Sequence, residues 1–119
     1  MNHEVIIIKG EEYKLRLRAV DQIAISKKLG KSLLEFVADM QDAENSLKAF
    51  DLEGLLTILL FSMKANHKDI KEKDIYDLYD AYVDEGHNMF DLFQVIMNVL
   101  SVSGVLPNAE MLKQVEQPK

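Results

Sequence analysis

The sequence predicts a mainly α fold: a small bundle of about five helices carrying an N-terminal β-hairpin. Three observations predict it. Strand-type patterning is confined to residues 4–18. From Ala19 onward, apolar residues recur at helical spacing between residues suited to capping helices. The longest apolar run, "GLLTILLFSM", is about half the ~20 residues that a membrane-spanning helix needs, which fits a soluble bundle. A length of 119 residues fits a single domain, read as a hairpin (1–18), a helical bundle (19–106) and a flexible tail (107–119).

The hairpin is written in "EVIIIKGEEYKLRLR". β-branched residues come first, "KGEE" supplies a turn, and strict alternation follows. Tyr13, Leu15 and Leu17 fall on one face and Lys14, Arg16 and Arg18 on the other. A lone hairpin is marginal in water, so this one is expected to lean on a helix or pair with another chain. Asp21 is the expected N-cap of a short helix through Leu29, with Gly30 at its C-terminal end. Ser32 and Glu35 form a capping box that opens "LLEFVADM", where Leu33, Leu34, Phe36, Val37 and Met40 are core candidates. "QDAENS" is a polar break, after which Asp51 caps a long helix over 52–65. The charged stretch 66–73 reads as a linker, and a further helix spans about 74–85 and stops at Gly86. Asn88, with Asp91 three residues on, opens the last helix, about 89–103, which Gly104 and Pro107 end.

Two of these helices carry more apolar surface than a bundle this small readily covers. In 52–65 only Glu53, Thr57 and Lys64 share a polar sector. In 89–103 the polar strip is narrow: Asp91, Gln94, Asn98 and Ser101. A helix apolar all round must be buried all round. Either these two helices form the centre of the bundle, or part of their surface meets another chain. Leu55, Leu59, Phe61, Phe90, Phe93 and Met97 are therefore candidate partner-binding residues. Substituting Asp for Phe93 or Leu59 is the sequence-level test of that idea.

No catalytic centre is legible. The chain has no cysteine, which excludes disulfides and Cys-based zinc sites. It lacks a nucleophile elbow, a dinucleotide fingerprint and a phosphate loop; "KLGKS" has Ile25 where the phosphate loop needs a glycine. His3, His67 and His87 lie apart, without the helical pairing of a zinc site. No enzyme activity, cofactor or metal is expected. The N-terminal apolar run is only four residues long, so it does not make a signal peptide, and the expected location is the cytoplasm, with no membrane partner.

"DIYDLYDAYVDEG" looks at first like a ligand cluster. Projected at 100° per residue, it separates into an apolar face (Ile75, Leu78, Tyr79, Tyr82, Val83), with Tyr76 at its margin, and an acidic ridge of Asp77, Asp80 and Asp84. Calcium loops place their ligands in a loop around a glycine, and di-metal bundles point carboxylates inward. The ridge does neither. It reads as a solvated face, or as a docking ridge for a basic partner. "ISKKLGKSLLEFV" has the spacing of a DNA-binding helix-turn-helix, which is the alternative reading. Its second helix is apolar and acidic where base-reading side chains belong, and the net charge of −6 opposes binding to nucleic acid.

The order of "YKLRLR", "ISKKLGKSLLEFV", the apolar helix and "DIYDLYDAYVDEGHNMFDLFQVIMNVLSVSGVLP" resembles the tail assembly chaperones of long-tailed phages and prophages of Gram-positive bacteria. The likeness spans about residues 13–107 and is carried most by the C-terminal half. There an acidic aromatic helix ends in "DEG" and an apolar helix ends in "SGVLP". The resemblance implies a non-enzymatic protein that binds and solubilises the tape measure protein and helps recruit tail tube subunits. It also implies self-association, sometimes a longer form made by ribosomal frameshifting, and absence from the finished virion.

Overall fold

The computed structural model describes residues 2–42 and 51–106. Over these residues the chain forms an antiparallel hairpin, β1 (Glu4–Ile8) and β2 (Glu11–Leu15), followed by five helices. These are α1 (Ala19–Leu29), α2 (Leu33–Asp42), α3 (Leu52–Lys64), α4 (Glu72–Asp84) and α5 (Met89–Val102). The expected tail and Pro107 lie outside the described residues, as does part of the expected polar break.

In the hairpin, Ile8 pairs with Glu11 and Glu4 with Leu15, which leaves a two-residue turn at Lys9-Gly10. Both turn residues have positive φ, 56° at Lys9 and 74° at Gly10. That is the geometry of the turn whose twist matches paired strands. Glycine adopts it freely, whereas lysine resists it. The Glu85 carboxylate accepts the Lys9 N–H at 2.8 Å and helps hold the turn in place.

The hairpin leans on helices, as its apolar face requires. Ile6, Ile8 and Leu15 are buried. Asn98 on the polar strip of α5 donates to the Glu4 carboxylate at 2.8 Å. The free edge of β2 is taken up at Arg16, whose N–H donates to the Ser62 carbonyl at 2.9 Å, and at Lys14, whose carbonyl accepts from the Asn66 amide at 3.3 Å. Ser103 Oγ accepts the Leu17 N–H at 2.9 Å, which anchors the exit from the hairpin.

Helix α3 is the axis of the fold. It contacts α1, α4, α5 and β2. Leu55, Ile58, Leu59, Ser62 and Met63 are essentially sealed from solvent, and even Thr57 on the expected polar sector is buried. Thr57 and Ser62 are tolerated there because their hydroxyls donate to the carbonyls of Glu53 and Leu59 within the same helix, at 2.8 Å each. α3 is therefore covered over most of its circumference by its own chain, with Leu52 and Phe61 left half-buried at its margins. In α5, Leu92, Ile96, Val99 and Leu100 are buried while Phe90 is half exposed.

The helix ends depart from expectation in two places. Asp21 does not cap α1; Arg18 holds the N-cap position and Asp21 sits in the first turn. The buried Asp21 carboxylate accepts the Arg18 backbone N–H at 2.9 Å and the Arg18 guanidinium at 2.8 and 3.0 Å. The linker is also shorter than expected. α4 starts at Glu72, with Asp74 in its first turn accepting the Lys71 N–H at 2.9 Å. At the other N-caps the side-chain oxygen accepts the expected bond, although, among the described residues, the Ser32–Glu35 box is completed on the Ser32 side only. Ser32 Oγ accepts from Glu35 N–H at 3.0 Å, Asp51 from Gly54 N–H at 3.1 Å, and Asn88 from Asp91 N–H at 3.0 Å. One core expectation fails on α2: Leu34 points outward at 58% exposure, while Leu33, Phe36, Val37 and Met40 are buried. On the α4 apolar face, Val83 is likewise exposed, and Ala81 is buried beside Ile75 and Tyr82.

Candidate protein-binding groove

The seam between α3 and α4 holds the most site-like surface among the described residues. α3 must pack on α4 through the Ile75 side, and this tilts Tyr76 to the rim, where it stays 47% exposed. The result is a cleft of about 430 Å³ lined by Leu52, Leu56, Tyr76 and Tyr79, with Glu53 and Asp80 at its edges. The seam continues past Thr57, Leu60 and Ile75 to Glu72. Glu72 is paired with Lys28 of α1 at 2.8 Å, and the bond holds its carboxyl below the usual range. The walls are aromatic and aliphatic, and the carboxylates Glu53 and Asp80 line the cleft, with the Lys28–Glu72 ion pair at the far end of the seam. No group in the cleft is placed as a nucleophile beside a base. Such a surface suits an amphipathic helix with apolar anchors and basic flanks.

A second cleft of about 400 Å³ lies on the other flank of α4, lined by Tyr13, Ile70 and Leu78 together with Lys9, His67, Asp69, Asp74 and Asp77. Here the Tyr13 and His67 rings meet at 5.3 Å. The residues are polar and mixed in charge, which gives this cleft a weaker claim on an apolar ligand.

The candidate residues read from the sequence divide clearly. Leu55 and Leu59 are inside the core, 0% and 1% exposed, and present no surface. Phe61 is half-buried with the Lys64 ammonium 5.3 Å from its ring centre. Phe90, Phe93 and Met97 share one face of α5, with Phe90 at 50% exposure and the other two half-buried. Asp77, Asp80 and Asp84 are all exposed, but they do not act as a unit. Asp80 edges the apolar groove and Asp77 the mixed cleft, while Asp84 lines neither. No group of three or more acidic or histidine residues is arranged to hold a metal ion among the described residues.

The sequence reading missed several exposed apolar side chains: Ile7, Val20 and Ile23, besides the outward turn of Leu34. Val20 and Ile23 lie one helical turn apart on the outer side of α1, opposite the buried Ile25. A projection of 19–29 shows two apolar stripes, and only packing tells which is inside. The exposed side chains of α2, over its described surface, are Leu34, Glu35 and Ala38, with the half-exposed Asp39 paired with Lys31 at 2.8 Å. The only polar groups among them are carboxylates, which the phosphate backbone repels, so the geometry lends the helix-turn-helix reading no support.

Burial raises the phenol pKa of Tyr82, helped by nearby Asp91, and of Tyr79, helped by Asp80. Burial and Glu11 do the same to Tyr13. A folded-state value above the unfolded one near 10 means full stabilisation below that pH and loss as pH rises through the folded values. Urea midpoints are therefore expected to fall as pH climbs above about 10, and Tyr82→Phe to flatten that fall. An unchanged slope in Tyr82→Phe would refute the assignment.

Comparison with known protein families matches residues 3–114 to DUF6096, a family of unknown function. The chain belongs to this family. No curated protein and no solved structure matches it. The DUF6096 match spans the hairpin and all five helices, so the groove lies within the matched region. No described helix is long and apolar enough to cross a membrane.

Proposed function

We propose that this DUF6096 protein is a non-enzymatic tail assembly chaperone of a phage or prophage. It would bind the tape measure protein, keep it soluble in the host cytoplasm and help recruit tail tube subunits. The observation that carries this reading is the apolar groove between α3 and α4, with the carboxylates Glu53 and Asp80 in its lining. A rod-like helical client presents amphipathic segments, and an apolar cleft with carboxylates at its edge takes such a segment when its flanks are basic. The sequence resemblance supplies the client. The half-exposed α5 face around Phe90 offers additional apolar surface.

The test is co-expression with the tape measure protein of the neighbouring gene. Tyr76→Ala combined with Asp80→Lys alters only exposed side chains and is expected to leave the fold intact. Binding is expected to weaken by roughly tenfold to a hundredfold, about 1.4–3 kcal/mol, with loss of soluble tape measure protein. Charge reversal at Asp84 alone, which lines neither cleft, is expected to change little. Undiminished binding by a folded Tyr76→Ala, Asp80→Lys protein would remove the groove as the client site.

A further inference from the structure

Among the described residues, the outer edge of β1 is an unfilled place in a sheet. β2 is the only strand paired with β1 among the described residues. In the observed register, Ile8–Glu11, Ile6–Tyr13 and Glu4–Leu15 are the pairs that exchange hydrogen bonds across a two-residue turn. The N–H and C=O groups of Val5 and Ile7 therefore point away from β2. The equivalent edge of β2 is occupied by Asn66 and Ser62. On β1 the corresponding edge is stopped, among the described residues, only at Lys9, by Glu85. Ile7 is also 56% exposed, a large β-branched side chain on a bare edge. Exposed edges are normally blunted by a charge, a proline or a bulge, and "VII" supplies none of these.

We infer that the occupant of this edge is β1 of a second copy, paired antiparallel about a two-fold axis at Ile6 to form a four-stranded sheet. Strand parity restricts the registers. Outward-pointing groups must meet outward-pointing groups, which leaves Val5 opposite Val5, Ile7 opposite Ile7, or Val5 opposite Ile7. Only the last puts Glu12 of one copy and Lys14 of the other at opposite ends of each outer row, so Val5 of one copy faces Ile7 of the other, and the reverse. This register opposes Glu4 to Ile8 and Lys9 to His3, so no two carboxylates and no two lysines face each other across the new interface. On the outer face, each row reads Glu12, Ile7, then Val5 and Lys14 of the second copy. The exposed apolar residues are thereby brought together between charges of opposite sign. A helical client cannot fill the edge, because its backbone groups are already satisfied internally. The pairing stands on strand geometry and separately from the chaperone reading.

Light scattering and analytical ultracentrifugation of the full chain test it. The wild-type protein is expected to dimerise reversibly. Ile7→Lys places a charge on the edge, and Val5→Pro removes an edge donor without touching a β1–β2 hydrogen bond. Each is expected to raise the dimer Kd by roughly tenfold or more with unchanged circular dichroism. Because the chain has no cysteine, register can be read directly. Val5→Cys mixed with Ile7→Cys is expected to give a cross-linked heterodimer faster than either variant gives a homodimer, since directly opposed residues in this register lie about 5.5 Å apart at Cα. A monomeric wild type at sub-millimolar concentration overturns the inference. So does a dimer that survives both edge variants, or cross-linking as fast in the single variants as in the mixture.

Discussion

Leu59→Ala is expected to cost roughly 2–5 kcal/mol of folding free energy, the range for removing a buried leucine side chain from a core that cannot fully collapse. Leu59 is 1% exposed on the central helix, beside the fully buried Leu55 and Ile58. α3 touches α1, α4, α5 and β2, and Phe36 of α2 also packs on it, so a cavity there is lined from several directions and no single element can move to fill it. Domains of this kind have only about 5–15 kcal/mol in total, so the loss would be visible as a large fall in the urea midpoint with little change in slope. Leu59→Asp is expected to leave the chain unfolded, because it places a charge without a partner in the same position. A loss of client binding in Leu59→Asp would then report unfolding, which is why the groove is tested at Tyr76 and Asp80. A Leu59→Ala protein within about 1 kcal/mol of wild type would contradict the central placement of α3.

Gly54→Ala is the second large effect. On propensity alone, alanine at an α3 position should gain up to about 1 kcal/mol over glycine. Here the Cβ would sit 2.4 Å from Cε1 and 2.8 Å from Cζ of Phe36. Phe36 is itself buried at 2% exposure and cannot swing into solvent. Overpacking of this kind typically costs about 1–3 kcal/mol, enough to outweigh the propensity gain. The net expectation is destabilisation by about 1–2 kcal/mol, measured by urea denaturation. Phe36→Leu in the Gly54→Ala background is expected to recover part of it. A stabilised Gly54→Ala protein would show that α2 does not seat its ring against α3.

The caps illustrate what local chemistry settles. Ser32, Asp51 and Asn88 each form the hydrogen bond that their position before an apolar periodic segment predicts. Asp21 shows the limit. A carboxylate at the N-cap and one three residues into the helix look alike in sequence, and the guanidinium of Arg18 decided between them. The acidic helix shows the same limit for function. Its angular separation into an apolar and an acidic face was legible. That Asp80 would edge a groove, Asp77 a different cleft and Asp84 neither depended on where α3 and the hairpin lie against it.

The sequence by itself determined the element types, their order, most of the caps and the absence of a recognisable catalytic motif. These follow from periodicity and from interactions within a few residues, which do not depend on distant packing. Only the tertiary structure decided how much of each apolar helix is covered: most of α3, but not the Phe90 flank of α5. It alone left Ile7, Val20, Ile23 and Leu34 outside and created the groove between α3 and α4. The reason is physical: the hydrophobic effect is non-directional, so a side chain's apolarity says that burial is favourable but not which neighbour provides it.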